Sequence, residues 1–234
     1  MLEVKGLSSG YGRVPVLRNV EFSLADGECI GLLGRNGMGK TTLLRAIMGE
    51  LPTWSGEIRK GSQSLNGKNT QSRAKAGIGY VPQGKQLFKL LTVEENLRMG
   101  CVKDFRSAKA KIAGVLELFP RLVRLLDRQA GMLSGGEQQL LALGRCLCGD
   151  PDLILLDEPT EGIQPSICDE IIEVLIRLRK ERNLSIILVE QDIDFLWSIC
   201  DRILAVDKGS VVKTIDPKGE GSTEEAKAFI GIEG

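Results

Sequence analysis

Histidine is absent from all 234 residues. Any proton shuttling or phosphate sensing must therefore fall to other groups. Excess charge is absent too. Lys+Arg and Asp+Glu stand at 31 each, so nothing draws the chain as a whole toward nucleic acid or an anionic membrane. No apolar run approaches the ~18 residues that would span a bilayer. The opening MLEVKGLSSGYGRV has no apolar stretch after its first basic residue, so no signal peptide is expected. There is no internal repeat and no long low-complexity tract. Of six cysteines, only Cys146 and Cys148 are close in sequence. A lone C-x-C with no second pair and no histidine is a poor metal site, so reduced structural thiols in a cytosolic protein are expected.

The chain is instead well supplied for a core, with 42% apolar and 26% charged residues. Its length suits one domain, or a core with a subdomain. Val16–Leu24 alternates in part, and Glu28–Leu33 (ECIGLL) is a short apolar run that leads into a Gly-rich turn. A helix is expected from about Lys40 to Gly49, and a strand over Ile78–Val81. Leu153–Leu156 and Ser185–Val189 are continuous apolar runs of the kind that fill buried parallel strands. Between them, Ile167, Ile171, Val174, Leu175 and Leu178 recur at helical spacing on one face. Strand, helix, strand predicts an α/β core with a parallel sheet. Residues from about 86 to 148 hold no convincing strand. Leu97–Met99, Ala108–Phe119 and Gln138–Leu147 read as helices, so this stretch is expected to be a helical subdomain inserted in the core. Gly61–Ser72 (GSQSLNGKNTQS) is polar and small and reads as an exposed loop. The segment Pro217–Gly234 ends in the short helix-like EEAKAFIG.

The turn after ECIGLL is GRNGMGKTT: Gly34, Arg35, Asn36, Gly37, Met38, Gly39, Lys40, Thr41 and Thr42. It matches G-x-x-x-x-G-K-[ST] between a strand and a helix, the setting this motif requires. Glycines let backbone N–H groups converge on phosphate oxygens, and the helix N-terminus adds partial positive charge. Lys40 is placed to reach the outer phosphates, and the Thr41 hydroxyl to bind Mg²⁺. A phosphate loop needs a carboxylate for its metal. LILLDEP supplies Asp157 at the end of a buried strand, and Glu158 directly after it can polarise an attacking water.

LSGGEQQ, residues 133–139, joins these two motifs. The three in this order resemble the ATP-binding cassette (ABC) ATPases over essentially the whole chain. The resemblance implies a P-loop NTPase core with a mostly parallel sheet, an N-terminal antiparallel β subdomain and an inserted helical subdomain. It implies ATP and Mg²⁺ as ligands and a head-to-tail dimer of two cassettes. Ser134, Gly135 and Gly136 would then contact the γ-phosphate held by the partner chain. Tyr11, in SSGYG, is similar to the aromatic that stacks on adenine. Gln83, in YVPQ, is similar to the glutamine that touches Mg²⁺ or the attacking water, at the entry to the subdomain that receives a membrane partner. Two positions depart from the family pattern: Glu137 stands where glutamine is usual, and Gln164 where an aspartate usually bridges the dimer.

The wider context (GRNGMGKTTLL, YVPQGKQLF, LTVEENL, LSGGEQQLLALGRCL) resembles the second ATPase subunit of importers for urea and branched-chain amino acids. DEPTEGIQPSI, residues 157–167, and VEQDIDF look closer to the urea type, so urea or a short amide is the expected cargo and branched-chain amino acids the alternative. This resemblance implies a second, different ATPase chain (or a homodimer in isolation), two membrane permease subunits and a periplasmic solute-binding protein, with no nucleic acid. The chain would be cytoplasmic, peripheral on the inner face of the plasma membrane. A nucleotide-gated subunit with weak hydrolysis is a further alternative. A soluble cassette acting on DNA or ribosomes fits least, for lack of a tandem cassette, a heptad run or a basic face. At SIILVEQD, residues 185–192, the family's usual γ-phosphate-sensing histidine is replaced by Gln191. Glutamine donates and accepts hydrogen bonds but takes up no proton at neutral pH. Gln191 is therefore expected to orient water or phosphate, with the proton-acceptor role left to Glu158.

Overall fold

The computed structural model describes residues 1–101 and 105–231. Residues 102–104, inside the expected helical insertion, and 232–234, at the end of Pro217–Gly234, lie outside the described residues. Strands β1 (Leu2–Tyr11), β2 (Val14–Leu24) and β3 (Cys29–Leu33) lead into helix α1 (Lys40–Met48). Then follow β4 (Ser55–Lys60), β5 (Gln63–Ser64), α2 (Thr70–Lys75) and β6 (Ile78–Val81). Helices α3 (Val93–Gly100), α4 (Ala108–Leu118) and α5 (Gly135–Leu147) come next, with short 3₁₀ turns between them. The chain closes with β7 (Leu153–Asp157), α6 (Pro165–Arg182), β8 (Ser185–Val189), α7 (Ile193–Ile199), β9 (Arg202–Asp207), β10 (Ser210–Ile215) and α8 (Ser222–Ile230).

Two sheets form. One is antiparallel, in the order β2-β1-β4-β5; the other has six strands, in the order β10-β9-β3-β8-β7-β6. In the second, β9, β3, β8, β7 and β6 are mutually parallel and only β10 is antiparallel. The fold is therefore α/β with a mostly parallel sheet, an antiparallel N-terminal sheet and a helical part, as expected.

Period-two alternation explains how five-residue strands fill two cores. Cys29, Leu33, Ile154, Leu156, Ile186 and Leu188 pack on one face with α3, α5, α6 and α7. Ile30, Leu32, Leu153, Leu155, Ile187 and Val189 pack on the other, with α1 and the antiparallel sheet. A sheet covered on both faces needs continuous apolar strands, which is why CIGLL, LILLD and SIILV lack polar alternation. The predicted stripe on α6 is buried in full: Ile167, Ile171, Val174, Leu175 and Leu178.

Residues 61–72 correct the expected loop. Arg59 and Lys60 pair with Ser64 and Gln63 to close a hairpin, and Leu65 is buried in the core. Asn69 then caps α2 by accepting from the Ser72 N–H. One apolar residue in a polar run was enough to anchor the segment. It also delivers Arg73, which is fully buried. Its guanidinium donates to the carbonyls of Lys68 (3.0 Å), Ala46 (2.8 Å) and Ile47 (2.8 Å), the last two being terminal carbonyls of α1. Among the described residues no carboxylate pairs with it; the negative end of the α1 dipole compensates the charge. Burial pushes the guanidinium below its usual pKa. Removing it leaves buried carbonyls unpaired. Arg73→Ala is expected to cost about 3 kcal/mol of stability, read as a lower urea midpoint at unchanged slope.

Candidate nucleotide site

Four adjacent parallel strands, β6, β7, β8 and β3, end side by side. The crevice outside the carboxyl ends of such strands is where open α/β sheets bind ligands. Here those ends carry Gln83, Asp157 with Glu158, Gln191, and the Gly34–Thr42 loop.

The loop is shaped by its glycines. Gly37 and Gly39 have φ of 79° and 102°, a region closed to most side chains. A Cβ on Gly34 would lie 2.4 Å from the Val206 carbonyl oxygen, so only glycine lets the loop leave β3 against β9. Arg35, Asn36 and Met38 fill the turn between them, and Thr42 is buried beneath it. Lys40 is buried and its Nζ donates to the carbonyls of Gly34 (2.5 Å) and Arg35 (3.0 Å), spanning the loop. Burial lowers its pKa, opposed by the nearby carboxylates of Glu158, Asp157 and Glu190.

Thr41 and Asp157 come together as expected: Thr41 Oγ1 donates to Asp157 Oδ1 at 3.0 Å. Asp157 is buried, which raises its pKa, and its second oxygen accepts from the Tyr80 hydroxyl at 3.2 Å. Tyr80 was not singled out by sequence, although it sits beside Gln83 in YVPQ.

Glu158 has a left-handed backbone, φ 50°, and its N–H donates to the Val189 carbonyl at 2.9 Å. Its carboxylate is held from both sides. Gln83 Nε2 donates to Oε2 at 2.9 Å, and Gln191 Nε2 donates to Oε1 at 2.9 Å. Gln83 also donates to Glu161 Oε2 at 3.2 Å. The expected metal contact of Gln83 would use its Oε1, the atom not engaged in these bonds. Gln191 is exposed, at the mouth of the crevice.

Tyr11 ends β1 and is 41% exposed. Arg45 of α1 fixes it from behind. The guanidinium donates to the Tyr11 hydroxyl at 3.2 Å, lies 5.5 Å from the ring centroid and pairs with Glu50 at 2.8 Å.

Ser134, Gly135 and Gly136 stand apart. Among the described residues no hydrogen bond or ion pair joins them to residues 34–42. Ser134 is the N-cap of α5. Its side chain accepts from the Glu137 N–H, and the Glu137 carboxylate accepts from the Ser134 N–H at 2.9 Å. That bond holds the Glu137 carboxyl below its usual pKa. A capping box takes Glu or Gln alike, so the departure at Glu137 leaves the signature's local structure intact. A Cβ on Gly136 would meet Ile167 of α6 at 2.8 Å. Gln164 is the N-cap of α6 and makes no side-chain cap bond.

A phosphate loop at a strand-to-helix junction, with a metal-type carboxylate ending β7 and a second carboxylate directly after it, defines the class of P-loop nucleoside triphosphatases. The family model described as ABC transporter matches residues 17–161. The chain is 39% identical over 213 residues to the high-affinity branched-chain amino acid transport ATP-binding protein BraG of Pseudomonas aeruginosa, covering 91% of each. It is 34% identical to the probable branched-chain amino acid transport ATP-binding protein LivF of Archaeoglobus fulgidus, over 90% of each. Among solved structures it matches the post-hydrolysis dimer of the cassette MJ0796 with ADP and phosphate, at TM-score 0.85, 25% identity, 94% of this chain and 100% of that one. This chain belongs to the ABC transporter ATP-binding family and is an ABC-type ATPase, splitting ATP with water into ADP and phosphate. No helix among the described residues is long and apolar enough to cross a membrane.

Proposed function

We propose that this chain is the ATP-hydrolysing subunit of a membrane importer, acting with a second cassette chain, two permease subunits and, at one remove, a solute-binding protein. The observation that carries its chemistry is the Glu158 carboxylate gripped by two amides at the carboxyl ends of β6, β7 and β8.

The residues present fit ATP with Mg²⁺. Thr41 hydroxyl, Asp157 carboxylate and the Gln83 carbonyl are hard oxygen donors of the kind Mg²⁺ takes, and the first two already lie 3.0 Å apart. When bound, the cation would draw negative charge from the outer phosphates. The loop glycines and the α1 N-terminus bind phosphate oxygens, and Lys40 neutralises their charge. Tyr11 stacks on the base. Glu158 takes the proton of the attacking water, and the two amides keep its oxygens aimed. Gln191 orients and does not titrate. Ser134 and Gly135, exposed at the start of α5, and the half-buried Gly136 serve the nucleotide held by the partner cassette.

Two effects follow for Gln191. Gln191→Ala should lower kcat about tenfold with KM for ATP nearly unchanged, because positioning is lost while binding is not. Gln191→His should add an inflection near pH ~6.5 to the rate profile, absent from the parent under the same MgATP concentrations.

The relatives favour branched-chain amino acids as cargo over urea, since two of them carry that name. Urea remains the second reading, carried by residues 161–164 (EGIQ) and the VEQ switch. No residue of this chain touches solute, so the test lies with its partners. Reconstituted with its permeases and binding protein, the complex should show ATPase stimulation by leucine and not by urea. Stimulation by urea alone would overturn the amino-acid reading. A groove of about 550 Å³ between β6 and α5, lined by Tyr80, Pro82, Phe88, Met99, Arg145 and Cys146, supports docking of a permease segment at the helical part.

A further inference from the structure

Glu190 is the one buried carboxylate near the site that the chemistry above does not use. It is 3% exposed. It directly follows β8, one residue before Gln191, and its carboxylate reaches the turn that follows Glu158. Four donors converge on it. The Thr160 N–H and hydroxyl donate to Oε1, at 2.9 and 2.5 Å. The N–H groups of Gln191 and Asp192 donate to Oε2, at 2.9 and 3.4 Å. A carboxylate has room for about four such bonds, so the group is filled.

These bonds close a circuit. Thr160 is two residues after Glu158, and Gln191 is one residue after Glu190. Gln191 Nε2 returns to Glu158 Oε1 at 2.9 Å, and the Glu158 N–H is tied to Val189 at 2.9 Å. The strand exit that carries the orienting amide and the turn that carries the proton acceptor are thus joined three ways: by the two side chains, by the Glu158 N–H on Val189, and through Glu190. Glu158 holds an unfavourable φ of 50°, which persists only where the surroundings fix it.

We propose that Glu190 is a positioning residue for hydrolysis: through Thr160 it locks the switch strand to the Glu158 turn, so that the acceptor and its orienting amide move as one body. This rests on Glu158 being the proton acceptor. Each carboxylate oxygen accepts from one side of the junction, so losing either oxygen opens the circuit. In Glu190→Gln the new NH₂ faces either the Thr160 donors or the Gln191 and Asp192 N–H groups, and no rotamer satisfies both. Thr160→Val keeps the shape and removes the hydroxyl donor; Thr160→Ser keeps that donor.

The test is steady-state ATPase kinetics with thermal melting on the full chain, in complex with its partner cassette. Glu190→Gln is expected to lower kcat about 30-fold and Thr160→Val about tenfold, each with KM for ATP within twofold and melting unchanged within a few degrees. The double variant should be no worse than Glu190→Gln within twofold, because both break one circuit. Thr160→Ser should restore turnover to near the parent. Multiplicative losses in the double, a rise in KM at parental kcat, or loss of turnover only in step with loss of folded protein would each overturn the proposal. Glu158→Gln, run alongside, separates the two claims. If it hydrolyses at the parental rate, the acceptor reading falls; if it is inactive while Glu190→Gln is fully active, only the positioning role falls.

Discussion

Glu158→Gln will lower ATP turnover at least about 100-fold and leave ATP binding intact. The change is isosteric and removes only the ability to take up a proton. In the parent, both amide partners, Gln83 and Gln191, donate to this side chain at 2.9 Å. One of the two contacts then becomes amide NH₂ against amide NH₂, so a modest loosening of the turn accompanies the chemical loss. The chemical loss dominates, because the chain holds no histidine to substitute and Gln191 cannot titrate. On the proposed reading, nucleotide affinity rests on the loop, Lys40 and Tyr11, none of which the change touches. Binding of a fluorescent ATP analogue, measured beside turnover, checks both halves of the expectation.

Lys40→Ala will weaken ATP binding by about 2–3 kcal/mol, or roughly 30- to 150-fold in Kd. The ammonium is the one basic side chain at the neck of the loop that is buried, and a buried cation acts on phosphate with little screening. The same burial decides what happens to the fold. It depresses the Lys40 pKa, so the folded chain holds the proton less readily than the unfolded chain. The sign follows: burial of the charged form disfavours folding at neutral pH, and that penalty fades as pH rises through the lowered folded value and is gone above the unfolded one. Against it stand the two bonds to the Gly34 and Arg35 carbonyls. The opposing terms nearly cancel, and the melting temperature of the variant is expected within about 3 °C of the parent. Lost affinity at unchanged stability marks a binding residue rather than a prop.

The sheet that positions these groups was legible because buried parallel strands have no polar face. CIGLL, LILLD and SIILV could be read as apolar runs without any partner being known. The edges were less legible. β1, β10 and α7 carry mixed patterns, and β1 pairs with irregular register against β2, so no clean period marks it. The polar run at 61–72 was misread as a loop because its structure depends on one apolar residue, Leu65, and on Asn69 as a cap. At the site, motif residues were legible because the chemistry constrains their spacing. Tyr80, Glu161, Arg45 and Thr160 were missed because each acts on a partner far away in sequence. Thr160 and Glu190 are thirty residues apart, and nothing local in either segment announces the other. The oddity at VEQD did signal something: its glutamine meets the Glu158 carboxylate, its glutamate accepts from the neighbouring turn, and its aspartate caps α7 through the Phe195 N–H at 3.1 Å.

The cassette's two departures from its family now have different standing. Glu137 completes a capping box that glutamine would complete equally well. Gln164 sits at the start of α6 and makes no side-chain cap bond.

The central claim is a division of labour in a histidine-free switch: Glu158 accepts the proton and Gln191 only orients. Single-turnover hydrolysis of MgATP, with the cassette pair in excess, tests it by comparing two variants in one assay. Glu158→Gln should be slower than Gln191→Ala by about tenfold or more. Equal rates, or a slower Gln191→Ala, would contradict the claim.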